Sequence, residues 1–205
     1  MTAIDGTALA GAAGGDGVRV ALVHDYFTQL GGAERVVAIL HGILRPAIVA
    51  ASVADRRLLP PALAAETVQT SPLQALLRAG APLASLAPLL PAAFRGLRVG
   101  DVDLVVSSTS AFAHHVTVPR RAAHVAYVHT PPRFLWQADG YFREHRAQGR
   151  LLRPALAWFR RSDRAAMARV DRLLANSRDT ARRLREIHGR EATVVYPPID
   201  VGAFP

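Results

Sequence analysis

Residues 18–44 read VRVALVHDYFTQLGGAERVVAILHGIL. Val18, Val20, Leu22 and Val23 with Ala21 form a near-continuous aliphatic run, which suits a strand buried on both faces. His24, Asp25 and Tyr26 follow at the strand's C-terminal end, the edge where open α/β sheets bind ligands. Gly31 and Gly32 come next, and then Val36, Val37, Leu40, Ile43 and Leu44 fall at helical spacing until Pro46. A glycine pair before a helix lets the backbone approach a ligand closely, and the free N–H groups of the helix end favour an anion. Taken alone, the pair also fits a plain tight turn, and it is not the G-x-G-x-x-G of a dinucleotide site.

Working outward, the same alternation continues. Strands are expected at 47–52, 67–70, 103–107, 116–118, 123–128, 172–175 and 193–196. Helices are expected at 149–172, and from the Asn176-Ser177 cap to about His188, where Gly189 supplies a left-handed stop. Residues 73–97 are rich in Leu and Ala but interrupted by Gly80, Pro82, Pro88 and Pro91, which predicts broken helices. Aliphatic strands alternating with helices indicate a parallel α/β sheet.

Composition narrows the function classes. The chain has 205 residues, half of them hydrophobic, enough for a substantial core. It has no cysteine, which excludes a disulfide framework, thiolate zinc sites and thiol catalysis, and fits a reducing compartment. Its formal charge is +9, and all 25 basic residues are arginine. That surplus predicts attraction to phosphates, nucleic acid or anionic lipid without choosing among them. No helix-turn-helix, RNP-like or zinc pattern accompanies it, so no specific nucleic-acid partner is expected. Residues 1–17 read as a disordered tail, and the apolar stretch 82–94 is too short to span a membrane.

Five segments together resemble the N-terminal half of a retaining GT-B glycosyltransferase of family 4. They are VALVHDYFTQLGGAERVV (20–37), DLVVSSTSAFAHHV (103–116), VAYVHTPPRFLW (125–136), DRLLANSRDTARRL (171–184) and ATVVYPPIDVGAF (192–204). The resemblance implies an α/β fold, a Rossmann-like parallel sheet with helices on both faces. It places an acceptor-side domain at 18–196 and the start of an interdomain linker at 197–205, with the donor-binding second domain and its paired glutamates beyond this chain. It further implies that Gly31 and Gly32 face the diphosphate of a nucleotide-sugar donor and that His129 lies in the cleft near the transferred sugar.

The residues themselves leave alternatives open. His129 ends a strand beside Pro131 and Pro132, and reads either as a satisfied strand-end histidine or as a catalytic group that hydrogen-bonds sugar or acceptor. Asp25 and Tyr26 would line the acceptor side, or Asp25 would cap a loop. Arg133 and Trp136 would bind sugar or phosphate, or Trp136 would pack internally. Glu34 and Arg35 would brace the glycine loop. The serines of 107–110 would cap the following segment or touch ligand.

No metal is expected, because His114 and His115, if on a strand, point to opposite faces. No cofactor is expected either. The arginines of 150–172 would form a solvated helix face or a surface for anionic membrane. The reading is therefore transfer of a hexose from a nucleotide diphosphate sugar to a glycan or lipid-linked acceptor, completed by a C-terminal domain supplied in cis or in trans. It would take place in the cytoplasm or at the inner membrane face. The alternative is a non-catalytic module that binds acceptor, membrane or a partner.

Overall fold

A computed structural model describes residues 17–137 and 146–198. The expected N-terminal tail, apart from Gly17, and the end of the linker lie outside those residues, as do the side chains of Arg150, Leu152 and Arg153. Among the described residues there are seven strands: β1 (Val20–His24), β2 (Ile48–Ala51), β3 (Val68–Thr70), β4 (Leu104–Thr109), β5 (Ala123–Val128), β6 (Arg172–Ala175) and β7 (Thr193–Val194). They form one sheet in the order β3-β2-β1-β4-β5-β6-β7, and every pairing is parallel. The order reverses at β1, so β1 and β4 flank the switch point where such sheets open a crevice.

β1 is buried along its whole length, as its aliphatic run requires. Its side chains alternate between two layers. Ala21 and Val23 face a core containing Phe94, Phe112 and Leu135, while Val20 and Leu22 face Phe27, Val37 and Leu63. Helix α1 (Gly32–Leu44) covers the second layer. The first is covered by the interrupted helices α2 (Leu73–Arg78), α3 (Leu83–Leu86) and α4 (Leu90–Gly96), broken where the prolines predict. The short helix α5 (Arg133–Trp136) and the long helix α6 (Arg146–Ala168) complete that face. Helix α7 (Arg178–His188) packs Leu184 against β5 and β6 together with Met167 and Val170.

Two expectations about secondary structure need correction. Residues 116–118 are not a strand, because they pair with no strand among the described residues. Ala113–His115 instead form a 3-10 turn, and the hydroxyl of Thr117 donates to the Arg95 carbonyl at 2.8 Å. The long helix stops at Ala168, short of 172, because Arg190 reaches back and donates to the carbonyls of Met167 and Val170 at 2.9 Å each. That cap is remote in sequence. No helix among the described residues is long and apolar enough to cross a membrane.

The last helix follows its local signals. The Ser177 hydroxyl accepts from the Thr180 N–H at 3.1 Å, and Gly189 closes the helix at φ 65°, donating to Arg185. Replacing Ser177 by Ala should therefore cost about 1 kcal/mol of stability in urea denaturation, and replacing it by Gly only a few tenths of that. Equal losses in the two variants would contradict the capping role.

Candidate functional site

The C-terminal ends of β1, β4 and β5 lie side by side, and the start of α1 faces them. Asp25, one residue beyond β1, is almost wholly buried. Its Oδ1 accepts from Thr109 Oγ1 at 3.2 Å, the Phe112 N–H at 2.9 Å and the Ala113 N–H at 2.7 Å. Its Oδ2 accepts from the N–H groups of Ser110 and Ala111. With five donors on two oxygens, the carboxylate clamps the loop after β4. Of the two roles open to Asp25, these contacts match the loop cap and leave no free carboxylate oxygen for an acceptor. Tyr26 is half-buried against the core, and its phenol is pushed up to about 12, first by burial and then by Asp25 and Glu34.

Helix α1 starts at Gly31 with extended backbone and no side-chain cap. Glu34, buried in the first turn, bends back so that Oε2 accepts the Gly31 N–H at 2.8 Å. Its other oxygen stands 3.6 Å from His24 Nε2, an ion-pair distance too long for a hydrogen bond. His24 Nδ1 donates to the Ser108 carbonyl at 3.1 Å, so β1, β4 and α1 are tied together here. Burial alone would raise the Glu34 carboxyl, but His24 and backbone N–H groups outweigh it and hold the group below its ordinary value. The expectation that Glu34 braces the glycine loop is met.

The two glycines differ. A Cβ on Gly31 would stand 2.9 Å from Glu34 Oε2, so that position is glycine to admit the brace. A Cβ on Gly32 would meet nothing within 4 Å. Nothing within the described fold requires glycine there, and the space above the helix start is open.

His129 follows β5 and is half-buried. Its N–H donates to the Thr109 carbonyl at 2.9 Å, and its Nε2 lies 2.8 Å from the Ser108 hydroxyl. The ring meets Tyr127 edge-on at 5.1 Å. Burial, helped by the neighbouring His24 and opposed by Asp25 and Glu34, lowers its pKa to about 4. The imidazole is therefore neutral near pH 7 and acts as a hydrogen-bonding group, not as a stored proton.

The expected pair after β5 divides. Arg133 is exposed. Trp136 is committed internally: its Nε1 donates to Asp163 Oδ2 at 2.8 Å, the Arg164 guanidinium lies 4.8 Å from its ring centre, and His188 meets it edge-on at 5.4 Å. These contacts match the internal packing role open to Trp136, although the half-buried ring also lines a cavity with Pro131 and Arg182.

The ground for expecting no metal is also corrected. His114 and His115 lie in a turn, not a strand, and both rings converge on Asp163. Ligand atoms of the three residues lie within 4.8 Å of one another. Sequence reasoning missed Asp163, whose partners sit on another element 49 residues away. A cavity of about 720 Å³, lined by His114 together with Arg95, His124, Arg169 and Asp171, lies at the N-terminal end of β5, away from the glycine loop.

Two imidazoles outside that cluster, His124 buried and His129 half-buried, define a pH dependence. His124, bonded to the Ser107 hydroxyl at 2.9 Å, has its pKa lowered to about 4, chiefly by burial, as does His129. Unfolded histidine titrates near pH ~6.5, so between there and pH 4 the unfolded chain binds more protons. Stability is then full above that window and falls as pH drops through it. Thermal unfolding should show a Tm that is level above about pH 7 and declines steadily toward pH 5. A level Tm across that range would contradict neutral burial of both rings.

Comparison with known proteins bears on what this edge serves. A search of curated proteins found no match. The family model Glycosyltransferase Family 4 matches residues 30–202, a span that runs from just before the glycine pair through the loop after β4, His129 and the final strand. With its all-parallel, Rossmann-like sheet and most of its length inside that match, the chain belongs to glycosyltransferase family 4 as an N-terminal domain of such an enzyme.

Proposed function

We propose that this domain forms the acceptor-side wall of a retaining hexosyltransferase that uses a nucleotide diphosphate sugar. The observation that carries this reading is the glycine start of α1, its Gly31 N–H held by Glu34 and the space over Gly32 open, beside the neutral His129 held by Ser108. A glycosyl donor breaks its C1–O bond as the nucleoside diphosphate leaves, and negative charge grows on the leaving oxygen. N–H groups at the helix start would stabilise that charge without reorganising.

His129 would position the sugar or the acceptor hydroxyl. With Nε2 engaged by Ser108, its remaining nitrogen is Nδ1, which has no hydrogen-bond partner among the described residues. If Ser108 donates to Nε2, Nδ1 carries the proton and offers a donor. Exposed Arg133 is the basic group of the segment best suited to a phosphate or glycan carboxylate. The second wall over the donor would come from a C-terminal domain of the family, and the acceptor would be a glycan or a lipid-linked sugar.

The test is transfer from labelled nucleotide diphosphate hexoses by the domain joined to a family C-terminal domain. Gly32→Ala has room for its methyl group, so it should fold with an unchanged Tm yet lose about tenfold or more in transfer as the Cβ enters the phosphate space. His129→Ala should lose about a hundredfold in kcat, as removal of one transition-state hydrogen bond does. Wild-type transfer by both variants would remove this edge from the reaction.

A further inference from the structure

His115 is buried with neither ring nitrogen hydrogen-bonded among the described residues. Leaving such groups unsatisfied costs about 1–3 kcal/mol each. The ring is nonetheless directed at a carboxylate: its Nε2 stands 3.7 Å from Asp163 Oδ1. The same oxygen lies 2.9 Å from His114 Nε2. In a tetrahedral site with metal–ligand bonds of about 2.0–2.1 Å, neighbouring ligand atoms lie about 3.3–3.4 Å apart. The two observed spacings bracket that value.

The hydrogen-bond chain behind His114 adds an independent argument. Thr109 Oγ1 donates to Asp25 Oδ1 and lies 3.3 Å from His114 Nδ1. A hydroxyl whose proton points at Asp25 can only accept from the ring, so Nδ1 carries the hydrogen. Nε2 faces a carboxylate oxygen 2.9 Å away, so a second hydrogen on the ring or a metal ion must join the two atoms. A proton on His114 would satisfy that pair but would leave His115 without a partner; a metal ion serves all three groups.

The surroundings have the form of outer support for metal ligands. Trp136 holds Asp163 Oδ2 at 2.8 Å, which leaves Oδ1 toward the imidazoles. His188 stands beside Oδ2 at 3.6 Å, outside the three-ligand set. The turn carrying both histidines is fixed by the backbone N–H bonds to Asp25.

We infer that His114, His115 and Asp163 form a binding site for one divalent transition-metal ion, zinc fitting two imidazoles and a carboxylate at tetrahedral spacing best. Water takes the fourth position. The ion joins the loop after β4 to helix α6, and so stiffens the loop that follows Ser108.

The experiment uses untagged chain stripped by chelator and titrated with zinc chloride alone, read by calorimetry and by Tm, and with cobalt(II) read by visible absorption. One equivalent should bind, raise Tm and give the intense absorption of low-symmetry four-coordinate cobalt. His115→Phe keeps the volume and removes the ligand. It should weaken binding about a hundredfold or more and abolish the Tm rise, as should Asp163→Asn. His41→Ala, which breaks the outlying His41–Glu66 pair, should bind as wild type does. The inference is overturned if wild type binds no equivalent of either metal, or if binding is undiminished in His115→Phe and Asp163→Asn. Should both ligand variants misfold, a wild-type cobalt spectrum that is weak and octahedral overturns it equally.

Discussion

The structure depends on one buried carboxylate. Asp25 sits where β1 ends and takes every hydrogen bond its two oxygens can comfortably accept, four from consecutive backbone N–H groups and one from Thr109. Those N–H groups belong to a loop that would otherwise leave the sheet with its donors unpaired in the interior. By holding residues 110–113 over the end of β1, Asp25 fixes the floor of the crevice at the point where strand order reverses. It also directs the chain into the turn that carries His114 and His115. The buried histidine turn takes its position from these bonds.

The arginine surplus means less than its total suggests. Arg190 caps the end of α6, Arg160 donates to the Leu135 carbonyl, and Arg164 lies against Trp136 while donating to the Ile187 carbonyl. These guanidiniums replace missing caps and cover an aromatic ring, tasks for which a planar fork with several donors is suited. Net charge therefore overstates how much of the basic surface is available to an external anion. The same contacts explain why helix α6, whose sequence has an amphipathic period, packs by polar as well as apolar contacts.

Most of the sheet was legible in the sequence. Fully buried parallel strands are continuous aliphatic runs, and β1, β4 and β5 are such runs bounded by polar residues. Caps and breakers are local chemistry, so Ser177, Gly189 and the prolines of 73–97 acted where they stand. The misplaced elements fail for a common reason. Val116 to Val118 has strand composition but no partner strand, and the end of α6 is set by an arginine from beyond β6. Pairing and remote capping are properties of the assembled chain.

The candidate site divides along the same line. The glycine loop and His129 could be singled out because strand ends and helix starts are visible as patterns, and Glu34 could be read as their brace because it is only three residues from Gly31. What Asp25, Trp136 and Asp163 do could not be read, since each side chain's role depends on which atoms come within 3 Å of it from distant segments. Sequence by itself determined the alternation of strands and helices, the parallel sheet and where its strands end, because hydrophobic period and local capping act within a few residues. Only the tertiary structure decided that Asp25 clamps a loop, that Trp136 packs inward, and that His114 and His115 share one carboxylate, because burial removes water and makes each polar atom find its partner in space.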